Sequence, residues 1–339
     1  MDKFDVIVVG AGPAGIAAAY TAAKAGLKVI IFERGDHPGA KNVMGGVIYR
    51  QPTEELIPKF WEKGAPLERH LIEQRAWLLD KDSAVTLGYK CSLFGKEPYN
   101  NFTVLRAKFD HWFAKQAVEA GALLINETVV EELIYEGEKV IGVKTGRNQG
   151  EVLGNVVILA EGVNSLIAQK SGMQKHIPSE QLAVAVKEII ALPKGTIEDR
   201  FNVDDGEGAT IELYGDATKG MMGTGFIYTN KDSLSIGVGA IMSQMLKNKI
   251  APYELLDYFK NHPMVKRLLH GGEVKEYLAH MIPEGGYEAM PKLYRHGLMI
   301  VGDAAMLVNG IHREGSNLAM ISGKIAAETA IRAKERGDF

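Results

Sequence analysis

The stretch 4-FDVIVVGAGPAGIAAAYTAAKAGLKVIIFER-34 decides the fold. Phe4 to Val9 is an apolar run rich in β-branched residues, with the composition of a buried strand. Gly10-Ala11-Gly12-Pro13-Ala14-Gly15 follows, and an alanine-rich helix is predicted over 16–25. The order of strand, glycine turn and helix is what gives a G-x-G-x-x-G match physical meaning. Gly10 permits the tight turn, Gly12 lets the backbone approach a pyrophosphate, and Gly15 lets the helix pack close to the strand. Free N–H groups and the positive dipole end at the helix start then face the anion. A second strand is predicted over 28–32, ending at Glu33-Arg34. Glu33 lies 18 residues past Gly15, close to the spacing of the acid that hydrogen-bonds a ribose. The unit reads as a dinucleotide site, and FAD and NAD both remain open.

The other end of the chain separates the two cofactors. Residues 298–328 read as a strand, then Gly302-Asp303, a loop, and a long helix of small residues from about Asn317. An acid at a strand end suits the ribityl hydroxyls of a flavin, and a helix start at Gly315-Ser316-Asn317 suits its electron-rich pyrimidine edge. A third segment, 156-VVILAEGVNSLIAQKSG-172, repeats the order of strand, glycine turn and helix start. In 104-VLRAKFDHWFAKQAVEAGA-122, Phe109, Trp112, Phe113 and Ala117 fall at helical spacing and read as core. Arg106, just ahead of them, reads either as a contact to cofactor phosphates or as a surface cap. The sequence holds no second G-x-G-x-x-G, so one dinucleotide site is expected and no separate nicotinamide domain.

Composition narrows the class further. With 339 residues the chain can bury a substantial core, and 46% hydrophobic with 24% charged residues is ordinary for a globular protein. A net charge of -3 gives no electrostatic case for nucleic acid. Asp2 and Asp5 precede the first apolar run, which therefore reads as a strand and not as a signal peptide, and a cytoplasmic location is expected. The single cysteine, Cys91, excludes a disulfide within the chain and a four-thiolate iron–sulfur site, and it reads as a small buried apolar residue. No metal site is expected.

The three turns, at Gly10 to Gly15, at Ala160-Glu161-Gly162 and at Gly302-Asp303, resemble the fingerprints of the p-hydroxybenzoate-hydroxylase-like FAD superfamily. Glu161 stands where that superfamily usually has Asp. Within it, Lys41-Asn42-Val43-Met44-Gly45-Gly46, the run 57-IPKFWEKGAPLERH-70, 218-TKG-220 with 223-GTGFIYTNKDSLSIGVG-239, and 277-YLAHMIPEGGY-287 are similar to the electron-transfer-flavoprotein:quinone oxidoreductase family, in its FixC branch. The resemblance covers essentially the whole chain. Geranylgeranyl reductases share the three turns and the 302-GDAA-305 ending, and match less well at the Lys-Asn-Gly-Gly run.

The resemblance implies an α/β (α+β) fold: a Rossmann-like FAD-binding domain of the glutathione-reductase type at 1–175 plus 276–339, with a small insertion near 50–100, and an inserted antiparallel-sheet substrate domain at 176–275. It implies FAD as cofactor and electron transfer from an electron-transfer flavoprotein, through a small ferredoxin-like iron–sulfur partner, to a membrane quinone. Nitrogen fixation or a flavin-based bifurcating complex is the implied setting, with peripheral contact at the inner face of the cell membrane. Reduction of prenyl double bonds of lipids is the alternative, and a non-catalytic FAD-bearing scaffold a third reading. Members of the family usually continue past the last flavin helix, so a shortened or naturally short member is expected. The segment after Glu33 is expected to cross beside the flavin ring, where Gly45 and Gly46 let the backbone lie close, Asn42 or nearby N–H groups reach the N5 side and Lys41 faces the anionic reduced ring; the alternative is a turn with a solvated lysine. Val130 completes the implied cofactor set.

Between these turns, 182-LAVAVKEII-190, 209-ATIELYG-215 and 225-GFIYTNKDSLSIGVGAI-241 alternate like strands, the last with a hairpin turn at Asn230 to Ser233. Two helices are predicted at 252–262 and 263–272, divided by Pro263. By resemblance Gly223, Thr224 and Gly225 lie near the quinone carbonyls, and the alternative is a strand entry that needs glycine. Met221, Met222, Met264, Leu268 and Leu269 read as core or as an apolar plateau, with core favoured. His280 and Glu284 read as structural, because solvent can supply the protons of flavin and quinone chemistry.

Overall fold

The computed structural model describes residues 3–41, 45–310 and 314–339; Asn42 lies outside them. In chain order, β1 (Phe4–Val9), α1 (Pro13–Lys24) and β2 (Val29–Phe32) come first, then β3 (Val47–Tyr49), α2 (Arg50–Leu56), β4 (Leu67–Leu79) and β5 (Ala84–Lys90). They are followed by β6 (Asn101–Val104), α3 (Arg106–Glu119), β7 (Leu123–Ile125), β8 (Val130–Glu136), β9 (Lys139–Thr145), β10 (Glu151–Leu159), α4 (Leu166–Lys170) and β11 (Leu182–Ala191). Next are α5 (Lys194–Phe201), β12 (Glu207–Gly215), β13 (Gly223–Thr229), β14 (Ser233–Ile241), α6 (Met242–Asn248), α7 (Pro252–Asn261) and α8 (Pro263–Leu269). The chain ends with β15 (Glu273–Pro283), β16 (Tyr294–Arg295), β17 (Leu298–Ile300) and α9 (Ser316–Arg336).

The first sheet has eight strands in the order β16-β17-β10-β1-β2-β7, with β9 and β8 attached beyond β10. β1 runs parallel to both β10 and β2, and Val6 to Val9 are buried between them. That burial on both faces is why the run is continuously apolar instead of alternating. α1 begins at Pro13, three residues ahead of the expected start, because proline at the first helical position presets φ and gives up no needed donor. α9 packs across α1 at its small residues. A Cβ on Gly323 would sit 2.0 Å from the Ala14 carbonyl oxygen, so the two helices touch backbone to backbone.

The second sheet has nine strands in the order β15-β11-β14-β13-β12-β4-β6-β3, with β5 on β4. The β13–β14 hairpin turns where the sequence places it. Asn230 holds the turn through Nδ2, which donates to Ser233 Oγ at 3.2 Å and Ser235 Oγ at 3.0 Å. The sheet also takes β3 to β6 from residues 47–104 and β15 from 273–283. The charged appearance of β4, LERHLIEQRAWLL, hides its role. Arg69 on it is buried, and its guanidinium donates to the Asn230, Glu207 and Lys231 carbonyls and to Glu198, which ties β4 to the far hairpin.

One face of this sheet is apolar. Val186, Ile211, Ile227 and Ile236 pack there with Phe201 of α5, Leu255 and Phe259 of α7, and Val265 of α8. Of the residues weighed as a plateau, Met221 is buried and Met264, Leu268 and Leu269 pack half-buried against this cluster; Met222 alone of the five is exposed. The opposite face is different in kind. It looks toward the crossing segment at Gly45-Gly46: a Cβ on Gly46 would lie 3.2 Å from the Tyr228 ring of β13. The site lies between this face and the first sheet.

Candidate functional site

The glycine turn separates two reasons for having glycine. Gly10 has φ +100°, and a Cβ on it would lie 2.3 Å from the Ala160 carbonyl oxygen. A Cβ on Gly15 would lie 1.9 Å from the Gly10 carbonyl oxygen. Both are required by the chain's own packing. A Cβ on Gly12 would meet nothing within 4 Å. The protein itself makes no demand for glycine there, and a cradle above the turn stays open for a body from outside the chain. Glu33 borders that cradle: its carboxylate accepts from Ala11 N at 2.9 Å and from Gly35 N at 2.7 Å. Pro13 and Ala14 form the buried first turn of α1, and Ala14 meets the Gly302 turn, where a Cβ would come within 3.0 Å of the Ala14 Cβ.

A second group of predicted residues converges at the starts of α3 and α9. Arg106 is buried, and Nε and Nη2 form a two-pronged pair with Asp110, each bond 2.8 Å. Nη1 donates to Ser316 Oγ at 2.6 Å. A Cβ on Gly45 would lie 3.4 Å from both Arg106 Nη1 and Ser316 Oγ, so the crossing segment passes against this pair. Gly315 directly precedes α9. Asn317 is 1% exposed; Oδ1 accepts from Tyr49 N at 3.0 Å, while Nδ2 has no partner among the described residues. A buried amide donor left open costs about 1–3 kcal/mol and calls for an acceptor.

The electrostatics of the cleft follow from burial. Lys187 on β11 is 3% exposed, and burial, helped by Arg106, pushes its ammonium down to about 8. His280 on β15 is pushed down to about 4 by burial, with Arg106 and Arg34 adding to it, so it is neutral at pH 7. Burial pushes the Glu284 carboxyl up to about 7, and the nearby Asp303 adds to the effect. Asp303 itself is raised to about 6 by burial, against the pull of Arg106. In this cleft burial weakens the charged form of acids and bases alike. Sequence reasoning passed over Lys187. The signal was available in the run 182–190, where adjacent Lys187 and Glu188 interrupt apolar residues and strand alternation sends them to opposite faces.

The remaining predicted residues lie further out. Ala160 abuts the glycine turn, but the Glu161 carboxylate is engaged elsewhere: it accepts from Ile167 N and Ala168 N and caps α4, while Gly162 turns the chain with φ +73°. Val130 is buried in the apolar cluster of the first sheet. Arg34 and Lys41 are exposed. Gly223 and Gly225 are explained by packing, since Cβ atoms there would meet Gly239 O at 2.1 Å and the Phe259 ring at 2.7 Å. Thr224 is half-buried and donates to the Leu213 carbonyl at 3.2 Å. Cys91 is half-buried, not fully buried as its residue type suggests. No described helix is long and apolar enough to cross a membrane.

Comparison with known proteins gives this geometry a context. Residues 5–181 match the model of a family described as FAD dependent oxidoreductase. The chain is 54% identical to Protein FixC of Azotobacter vinelandii, over 98% of this chain and 77% of that protein. It is 44% identical to the probable electron transfer flavoprotein-quinone oxidoreductase YdiS of Escherichia coli, over 100% of this chain and 79% of that protein. Among solved structures, a geranylgeranyl bacteriochlorophyll reductase-like protein from Thermoplasma acidophilum superposes with a TM-score of 0.81 at 24% identity, covering 100% of this chain and 80% of the other. That last likeness speaks for the fold alone.

Proposed function

The chain belongs to the FAD dependent oxidoreductase family, in the group of FixC proteins and electron transfer flavoprotein-quinone oxidoreductases, and on that premise we propose that it passes electrons from an electron transfer flavoprotein to a quinone. It is an FAD-dependent oxidoreductase. The observation that carries the finer reading is the similarity to the probable electron transfer flavoprotein-quinone oxidoreductase along the whole chain. Cys91 by itself cannot ligate a four-thiolate cluster, and the small ferredoxin-like partner that the resemblance implies completes the proposed route. Supply of reducing power for nitrogen fixation is the proposed setting, at the inner face of the cell membrane.

In this proposal the amides around Gly10 to Gly15 take the pyrophosphate, Glu33 the ribose and Asp303 the ribityl chain. Arg106, Ser316, Asn317, Gly45 and Gly46 border the flavin ring. The open cradle over Gly12 and the Asn317 amide, which has no partner for Nδ2 among the described residues, support that fit. FAD supplies the electron-accepting and electron-donating ring, and the protein orients it and excludes water. The quinone is proposed to approach the second sheet near Thr224. Residues 1–175 with 276–339 form the proposed FAD unit and 176–275 the substrate unit, whose sheet also recruits strands from 47–104 and 273–283. The test is to purify the protein with its partners and follow quinone reduction by a reduced electron transfer flavoprotein. Turnover that depends on bound FAD is expected; FAD-loaded protein that reduces no quinone with any donor overturns the proposal.

A further inference from the structure

Lys187 is a buried cation with no counter-ion in contact among the described residues. The registers of its neighbours fix its direction. Val186 belongs to the apolar cluster under α7 and α8, and Glu188 pairs with Lys260 of α7 at 2.8 Å, so both flanking residues face the helices. Strand alternation sends Lys187 to the opposite face. There it stands opposite Gly237 of β14 and Leu278 of β15, and two residues along the strand Ala185 stands opposite His280. Tyr228, on the same face, packs over Gly46 next to the Arg106–Ser316 pair. At 3% exposure Lys187 makes no ion pair or hydrogen bond with any described residue. A buried charge is costly unless it is paired, so a lysine kept here implies an anion from outside the chain.

The charged groups around it do not meet that need. Arg106 and Asp110 of α3 satisfy each other, Glu276 of β15 attracts the ammonium without reaching contact, and His280 is neutral. Arg34 adds positive charge on the same side, as seen in its effect on His280. We propose that Lys187 is the counter-cation for the reduced flavin: its ammonium faces the ring from the second sheet and neutralises the negative charge that the ring gains on reduction. The balance is simple. Two electrons and one proton reach the oxidised ring, which is left with one negative charge, and no bond to Lys187 forms or breaks. The inference rests on the functional reading above, because it needs FAD in this cleft. Lys187 is a tuning residue in this role, acting on potential.

The test is a spectroelectrochemical titration of bound FAD in the full chain, wild type beside Lys187→Met and Lys187→Arg, with FAD content and thermal melting measured alongside. Lys187→Met, close in volume and uncharged, is expected to weaken binding of reduced relative to oxidised FAD at least about tenfold, a fall in potential of about 30 mV for a two-electron couple. Lys187→Arg restores the potential. The pH profile gives a second reading, independent of how well the Met variant folds. Reduction favours the charged lysine, so above about 8 wild type takes up one further proton per two electrons and its potential falls about twice as steeply with pH. Lys187→Arg stays charged and loses that steepening. FAD-loaded Lys187→Met with an unchanged potential overturns the inference alone, as does a wild-type profile with no break. A wild-type chain that takes up no FAD overturns the functional reading, and the inference with it.

Discussion

The glycine turn and the cleft face of the second sheet are both crowded, but for opposite reasons. At Gly10 and Gly15 the closest approach is to the chain's own backbone, and the turn is complete as a piece of packing. On the cleft side Asn317 Nδ2 and the buried Lys187 have no partner among the described residues, and a Cβ on Gly12 would meet nothing within 4 Å. The first region answers to folding. The second presents buried polar groups such as Asn317 Nδ2 that the described residues leave open, and the proposed FAD would meet them.

The largest expected effect tests whether the junction between the two regions belongs to folding at all. Arg106→Met leaves Asp110 buried and unpaired, and urea unfolding should show a loss of about 3–5 kcal/mol. Gly15→Ala stays within the packed region. With a Cβ 1.9 Å from a carbonyl oxygen, it should lower stability by about 1–3 kcal/mol or more, even without cofactor. Gly12→Ala should separate the regions cleanly: stability without FAD stays within about 0.5 kcal/mol of wild type, while FAD affinity, followed by fluorescence, falls at least about tenfold. Equal losses of stability at Gly12 and Gly15 would erase the contrast.

The smallest effect is a pH dependence in the cleft. Glu284 has a folded-state value raised to about 7 from an ordinary 4.5. Its contribution to stability is therefore fully present below 4.5 and is lost as pH rises through 7. Glu284→Gln cannot ionise, so its melting temperature relative to wild type should climb between pH 4.5 and 7.5. A constant difference across that range would mean that Glu284 is solvated like a surface acid.

The two regions were not equally legible in the sequence. The turn could be read because each of its constraints is local: Gly10, Gly15, the β-branched strand and Glu33 lie within one strand, helix and strand. The hairpin at Asn230 was legible for the same reason. The 47–104 strands were hidden, because β4 pairs in parallel with β12 from far along the chain and carries charges, such as Arg69, that only long-range partners satisfy. Lys187 was hidden because its meaning depends on which sheet face it occupies, and that is set by α7 on the other side. The glycines at 223 and 225 had two readings, near a quinone by resemblance or at a strand entry that needs glycine, and their close neighbours are Gly239 and Phe259.

The central claim is that FAD lies between the two sheets and is held by both. Hydrogen exchange of the apoprotein, with and without added FAD, tests it most directly. The account predicts new protection in peptides covering the glycine turn at 10–15 and also in those covering 45–49, 182–191 and the start of α9. Protection confined to 4–35, with the second sheet exchanging as before, would contradict it.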